Sequence, residues 1–167
     1  QVLEGASQVY ISVPSQSLRS NLEQWGSLIP KDAIVVSLMK GVEQKTGLRM
    51  SQVIAQHGIG EDRVVVISGP NLALEIAAEQ PAASVAASSS TASAMAVAKA
   101  STNSYFTTFT NNDVIGTEFG GILKNLIAVA IGIVNGVGYG QNTKASIMTR
   151  GLSEISRFAE AFGAKPE

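Results

Sequence analysis

The sequence predicts an α/β region followed by an all-α region. Five short runs of β-branched or small apolar residues alternate with amphipathic helical patterns in the first two thirds of the chain. The turn residues NND at 111–113 form the clearest break there, and only helical patterns follow them. We therefore expect an α/β domain at 1–112 and the first helices of a helical domain at 113–167.

The α/β region opens with a pattern of strand, helix and strand that is typical of a parallel sheet. The predicted strands are 8–13, 33–37, 64–67, 83–87 and 105–109, with helical patterns between them. Lys40 follows the second strand, so it should lie at the carboxyl edge, where open α/β sheets bind ligands. An exposed loop lysine without a ligand remains an alternative at this point.

The helical region begins with a long apolar helix at 114–140 that carries one cation, Lys124. Gly120 and Gly121 precede Lys124 by four and three residues, so they share its helix face and leave room beside the amine. The alternative is a lysine whose stem packs on apolar surface while its head reaches water. A second helix at 142–163 has apolar residues spaced by three and four.

Composition and charge exclude several classes of protein. The net charge of the 167 residues is −1, and no window concentrates Lys and Arg, so we expect no nucleic-acid partner. The longest unbroken apolar run of the long helix, at 126–131, is too short to cross a bilayer, so we expect no membrane insertion. The absence of cysteine excludes a cysteine-ligated metal, and the single histidine, His57, argues against a multi-histidine metal site and a serine–histidine–acid triad, so we predict no bound metal. His57 precedes Gly58, where a helix should end.

Three segments in fixed order carry a resemblance to a known family. They are SLMKGVE at 37–43, ISGPNLALEIA at 67–77, and GTEFGGILKNLIAVAIGI at 116–133 followed by GVGYGQNTKASIMTRGLSE at 136–154. Together they resemble the NAD(P)-dependent glycerol-3-phosphate dehydrogenases across nearly the whole chain. The resemblance implies the second half of a Rossmann-like dinucleotide-binding domain plus the first helices of a helical substrate domain.

The same resemblance implies an oxidoreductase. It would interconvert sn-glycerol 3-phosphate and glycerone phosphate by hydride transfer with NAD or NADP, in the cytoplasm, and feed glycerophospholipid synthesis. Its partners would be a small-molecule phosphate substrate and, as the family allows, a second copy in a homodimer. NAD cannot be separated from NADP, because the residue that reads the ribose belongs to the first half of the domain.

Residue roles follow from the resemblance as well. Lys124 matches the catalytic base and also contacts substrate, and Lys40 matches a lysine that contacts both cofactor and substrate. Gly69 and Asn71 match substrate contacts, and Ala73 matches a cofactor contact. Asn71 departs from the serine or threonine common in bacterial members. We expect the apolar helix to bury Lys124 near a second cation, because both effects disfavour its charged form.

Other expected motifs do not occur in this sequence. No G-x-G-x-x-G follows a first strand, and the family's GLGD segment and its serine–arginine–asparagine motif are missing. We therefore expect the 167 residues alone to be inactive. Two other functions remain open: a noncatalytic packing or dimerisation module, and a relative of the β-hydroxyacid dehydrogenases. The adjacent pair Lys124 and Asn125 favours the phosphate enzyme, since those relatives place their asparagine where this chain has Ala128.

Overall fold

A mixed five-stranded sheet forms the first part of the protein, and the predicted fold class is confirmed. The computed structural model describes residues 2–166. Three neighbouring strands run parallel, so their carboxyl ends share one edge of the sheet, the carboxyl edge of β1–β3. β4 runs antiparallel to β3, and β5 is parallel to β4. In spatial and chain order the strands are β1 (Gln8–Ile11), β2 (Ile34–Ser37), β3 (Val64–Ser68), β4 (Ala82–Ala87) and β5 (Phe106–Asn111).

Short helices cover the sheet and complete two apolar cores. One core joins β1 and β2 to α1 (Leu18–Trp25) and α2 (Met50–Gln56), and the other joins β2, β3 and β4 to α4 (Thr91–Ser101). α3 (Ala73–Ala77) is the short link between β3 and β4. His57 ends α2 as expected, with its Nδ1 2.9 Å from the carbonyl oxygen of Val53.

The two long helices, α5 (Val114–Val137) and α6 (Gln141–Ala161), follow the sheet. Asp113 caps α5, because its Oδ1 accepts a 3.0 Å hydrogen bond from the amide of Gly116, and Gly138 ends α5 at φ 85°. The rings of Phe119, Phe158 and Phe162 join the helices, with centroids 4.9–5.3 Å apart. The division of the chain into two domains at 112/113 stays a prediction.

The outer face of α5 is apolar and exposed. Leu126, Val129, Ile133 and Val137 are each more than half exposed. By length and composition α5 could cross a bilayer, since its best 18-residue window has a mean hydropathy of 1.6 with 11% of it buried. The core helix of a soluble protein meets the same criterion, so the expectation of no membrane insertion stays a prediction.

Candidate active site

The loop that carries Lys40 is fixed to α1 by a charged pair. The carboxylate of Glu43 accepts two hydrogen bonds from Arg19, from Nε at 2.8 Å and from Nη2 at 2.9 Å, and a third from Thr46 Oγ1 at 2.5 Å. The Arg19 bond first, and then the Thr46 bond, lower the pKa of Glu43 to about 2. Because the pair joins 38–43 to a helix of the core, the position of Lys40 is defined by the fold.

Lys40 reaches across the carboxyl edge of β1–β3 from β2 to the end of β3. Its Nζ donates a 2.7 Å hydrogen bond to the carbonyl oxygen of Gly69. The side chain is exposed, yet partial desolvation, and then repulsion from the ammonium of Lys124, lower the pKa of Lys40 below its ordinary value. The charge of Lys124 therefore contributes to the lowered pKa of Lys40.

Gly69 and Asn71 line the same edge. A Cβ at Gly69 would lie 2.8 Å from the carbonyl oxygen of Ala83 and 2.9 Å from Ser84 Cα, so only glycine lets the chain pass this close to β4. Asn71 Oδ1 is buried, and within residues 2–166 it accepts no hydrogen bond. A buried acceptor without a donor is costly, so Asn71 is suited to accept a hydrogen bond from a ligand hydroxyl or amide.

α5 brings Lys124 to this edge through a close contact with β3. A Cβ at Gly121 would overlap Ser68 Oγ and lie 3.7 Å from Lys40 Cε, so the missing side chain lets helix and strand meet. A Cβ at Gly120 would meet no atom within 4 Å. Of the two glycines expected to leave room beside Lys124, Gly120 faces open space and Gly121 serves the packing.

The expectation that the apolar helix buries Lys124 is wrong. Lys124 is exposed, as are its neighbours Asn125 and Leu126. The reason is geometric, since the buried positions of α5 are Glu118, Phe119 and Gly121 and then only Val134. Beyond Gly121, α5 is covered on one side only: Ile127 packs against Gly151 of α6, whereas Lys124 lies on a face that is exposed in the described residues.

The other expected site residues are placed as follows. Ala73 is exposed on the first turn of α3, two residues beyond Asn71. Within residues 2–166 no cluster of three or more His, Asp or Glu residues could hold a metal ion. The structure therefore brings together Lys40, Gly69, Asn71 and, across Gly121, Lys124.

A buried polar cluster at Glu118, six residues before Lys124 on α5, was not predicted from the sequence. Glu118, whose side chain is 3% exposed, forms an ion pair with Arg49 and accepts hydrogen bonds from Ser51. A signal was available, because Glu118 is a carboxylate in an otherwise apolar helix and such a residue needs a partner. The partners themselves could not be found, since they are 67 and 69 residues away along the chain.

A cavity of about 380 Å³ lies away from the lysines. Its walls include Arg49, Val64, Asp113 and Lys165. Val64 begins β3, whereas Ser68, beside Gly121, ends it. The cavity is thus at the opposite end of β3 from the candidate site, and we assign it no part in the chemistry.

The residues present fit part of a dinucleotide site. Lys40 offers a cation at the carboxyl edge of β1–β3, and Asn71 Oδ1 offers an acceptor without a partner. Both suit the polar groups of a cofactor and its substrate, whereas the glycine fingerprint that would hold a pyrophosphate does not occur in the sequence. The fold is thus of the class that binds a dinucleotide at the carboxyl edge of an open α/β sheet, and Lys40 lies at that edge.

Comparison with known families gives the particular family. The N-terminal profile of the NAD-dependent glycerol-3-phosphate dehydrogenases matches residues 1–94, and the C-terminal profile matches residues 113–167. The chain belongs to this family. The resemblance predicted from the three sequence segments is therefore confirmed.

Curated relatives and solved structures agree. Glycerol-3-phosphate dehydrogenase [NAD(P)+] of Leifsonia xyli subsp. xyli is 62% identical over 168 residues, covering 100% of this chain and 46% of the relative. The same enzyme of Frankia casuarinae is 56% identical, over 99% of this chain and 50% of the relative. A crystal structure of glycerol-3-phosphate dehydrogenase from Coxiella burnetii matches with a TM-score of 0.86 and 33% identity, over 98% of this chain and 50% of that one. The chain spans about half the length of these proteins.

Proposed function

We propose that this chain contributes the catalytic lysine and part of the ligand edge to an NAD(P)-dependent glycerol-3-phosphate dehydrogenase. The enzyme would interconvert sn-glycerol 3-phosphate and glycerone phosphate. One observation carries the proposal: Gly121 of α5 contacts Ser68 at the end of β3, a Cβ there would lie 3.7 Å from Lys40 Cε, and Lys124 follows about one helical turn later. Family membership and the names of the relatives supply the substrate and the cofactor, NAD or NADP.

The two lysines would have different tasks. In its amine form, Lys124 would take the proton of the substrate's C2 hydroxyl and return it in the reverse direction. The bound cofactor supplies the hydride acceptor or donor. Lys40 would hold the anionic groups of substrate and cofactor beside Lys124, since its Nζ is already fixed by the carbonyl of Gly69.

Three further residues would line the pocket. Asn71 Oδ1 would accept a hydrogen bond from a substrate hydroxyl, and Gly69 would let the substrate approach the backbone. Ala73, exposed at the start of α3, would contact the cofactor through its methyl group. These roles come from the family resemblance, and the burial of Asn71 Oδ1 supports the first of them.

The remaining expectations belong to the whole protein. We propose that it is cytoplasmic, feeds glycerophospholipid synthesis, forms a homodimer, and neither binds nucleic acid nor inserts into a membrane. The 167 residues alone would be inactive, since the pyrophosphate-binding glycines do not occur in them. Under this proposal the exposed apolar face of α5 is covered by the part of the protein outside this chain.

The decisive experiment replaces Lys124 in the full-length protein. We expect K124A to lower kcat for oxidation of glycerol 3-phosphate by about 10²- to 10⁴-fold, the usual cost of losing a general base. The Kd for NAD(P)H, measured by fluorescence, should change little. K99A, at an exposed lysine of α4, is the control and should retain full activity. Unchanged turnover by K124A would exclude Lys124 as the base and favour a noncatalytic module.

A substrate comparison tests the other enzyme function. The full-length protein should turn over glycerone phosphate in preference to a β-hydroxyacid or its oxo-acid. The basis is the match to both glycerol-3-phosphate dehydrogenase profiles and the adjacent Lys124 and Asn125. Preference for the carboxylate substrate would contradict the proposal.

A further inference from the structure

The carboxylate of Glu118 is among the most thoroughly bonded buried groups of the described chain. Its Oε1 accepts a 3.0 Å hydrogen bond from the amide of Ser51, and its Oε2 accepts a 2.6 Å hydrogen bond from Ser51 Oγ. The guanidinium of Arg49 donates to the same Oε2. A carboxylate that is 3% exposed is tolerated only with such partners, so the cluster fixes Glu118 in one orientation.

The cluster joins two elements that are far apart in sequence. Ser51 belongs to the first turn of α2, which packs on one face of the sheet, whereas Glu118 belongs to the second turn of α5. The amide of Ser51 has no acceptor within its own helix, so Glu118 supplies one from another element. Its negative charge also lies at the positive end of α2, which adds a favourable interaction.

Glu118 and Lys124 are rigidly related. They are six residues apart on one unbroken helix, about 9 Å along its axis. Gly121, midway between them, contacts Ser68 at the end of β3. A helix held at Glu118 and at Gly121 can neither slide nor rotate, and the position of Lys124 relative to Lys40 follows from these two contacts.

The ion pair between Glu118 and Arg49 is not needed merely to hold α5 against the rest of the described chain. Phe119 and the other apolar residues of α5 already pack against α6 and the loop after β2. Apolar contacts permit small shifts, whereas directional hydrogen bonds to a buried carboxylate do not. Small shifts matter here, because displacing a reacting group by about 1 Å can cost about 10²-fold in rate.

We infer that Glu118 is a positioning residue for the reaction: its contacts with Ser51 and Arg49 set the approach of Lys124 to the substrate. The inference rests on the proposed role of Lys124 as the base. Glu118 itself touches neither substrate nor cofactor and acts only through the helix. Its loss should therefore lower kcat more than it weakens cofactor binding.

The first test compares variants of the full-length enzyme. We expect E118A to lower kcat by about tenfold or more and to change the Kd of NAD(P)H by less than about threefold. E118Q retains the side-chain volume and one acceptor for Ser51, so it should fold like the parent and lose less activity than E118A. E154Q is the matched control, because Glu154 is paired with Arg150 and Arg157 of its own helix, and its kcat should stay unchanged. An unchanged kcat in both Glu118 variants would overturn the inference.

The second test separates positioning from simple destabilisation. The same Glu118 change is made in the K124A background, and the residual activity is measured. If Glu118 acts through Lys124, the loss seen with Lys124 present should shrink to less than about threefold once Lys124 is gone. An equal loss in both backgrounds would mean that Glu118 acts independently, and would overturn the inference. Normal activity of K124A alone would instead refute the proposed function, so the two failures are distinguishable.

Discussion

At the scale of single residues, the candidate site contains two neighbouring cations, Lys40 and Lys124, which repel each other. Neither ammonium pairs with a carboxylate within residues 2–166. Two neighbouring cations without a counter-charge attract an anion, such as the phosphate of a substrate. The same pair disfavours protonation of Lys40, whose pKa is lowered first by desolvation and then by Lys124.

The repulsion gives a prediction about titration. Replacing Lys124 by methionine removes its charge, so the pKa of Lys40 should rise towards the ordinary value. An NMR titration of the Lys40 side chain in the parent protein and in K124M measures this change. K99M should leave the titration of Lys40 unaltered, because Lys99 lies on α4. An unchanged pKa in K124M would show that the two ammonium groups do not interact in solution.

The two neighbouring glycines of α5 make a matched pair for mutation. G121A should destabilise the protein by about 1–3 kcal/mol and reduce activity, because its methyl group would overlap Ser68 Oγ and force α5 or the end of β3 to shift beside Lys40. G120A should be neutral or stabilise the helix by up to about 1 kcal/mol, since a methyl group there meets nothing within 4 Å. Chemical denaturation of the full-length variants gives both values. Equal effects at the two positions would contradict the packing described for Gly121.

The sequence allowed part of the site to be predicted at this scale. Lys40 was placed at the edge of the sheet because it directly follows a run of apolar strand residues, and Lys124 was singled out as the one cation of an apolar helix. The exposure of Lys124 could not be predicted, because it depends on where α5 passes the end of β3. Glu118 carried a signal in its chemistry, but its partners are set by tertiary packing alone.

At the scale of elements, the loop at 38–43 is held in place by the pairing of Glu43 with Arg19 and by an isolated β-bridge between Val42 and Arg49. The loop contains Gly41 at φ 150°, and a Cβ there would lie 2.8 Å from Ser15 Oγ. Gln16 Nε2 also donates a 2.7 Å hydrogen bond to the carbonyl oxygen of Val42. Contacts from the segment before α1 therefore fix the residues on the far side of Lys40.

This arrangement predicts how stability depends on pH. The pKa of Glu43 is about 2 in the folded protein, below its ordinary 4.5, so the folded state favours the ionised form. Its contribution to the free energy of unfolding is fully present above about pH 4.5 and is lost as the pH falls towards 2. E43Q should therefore lower the midpoint of thermal unfolding at neutral pH, and the difference from the parent should shrink in acid.

Thermal unfolding of the parent and E43Q between neutral pH and pH 2 tests this dependence. R19M is the companion variant, because Arg19 is the main cause of the lowered pKa. Most of the effect of E43Q should disappear in the R19M background. A difference between parent and E43Q that stays constant with pH would show that the loss arises from packing and not from charge.

The elements and the parallel direction of β1–β3 were largely predictable, whereas the reversed direction of β4 was not. Short runs of β-branched or small apolar residues identified each of the five strands to within two residues at their ends, and the turn residues 111–113 marked the start of α5. The antiparallel pairing of β4 with β3 could not be predicted from these patterns. It follows from the short connection through α3, whose five residues bring the chain back beside β3 in the reverse direction.

At the scale of the whole molecule, the chain spans about half the length of its curated relatives. Its site has a lysine pair and an unpartnered amide oxygen at the carboxyl edge of β1–β3. The glycine fingerprint for the pyrophosphate does not occur in the sequence, and the incompleteness of the site that this predicts stays a prediction. Physical reasoning cannot supply the contacts that residues outside the chain would make.

The activity of the isolated chain gives the prediction at this scale. The 167 residues expressed alone should show no turnover of glycerone phosphate with NADH or NADPH, whereas the full-length protein should. The isolated chain should also self-associate, because Leu126, Val129, Ile133 and Val137 expose an apolar face on α5. Steady-state kinetics and analytical ultracentrifugation test the two statements. Full turnover by the isolated chain would refute the assignment of essential binding groups to the rest of the protein.

The continuity of α5 limits how the enzyme can open and close. The helix runs for 24 residues without a break, about 36 Å, so Glu118 and Lys124 move as one rigid body. No hinge can lie between them, and any domain closure that carries Lys124 towards a ligand must carry α2 with it or break the Glu118–Ser51 bonds. A ligand that approaches Lys124 from the side of Gly120, where a Cβ would meet no atom within 4 Å, leaves the helix in place.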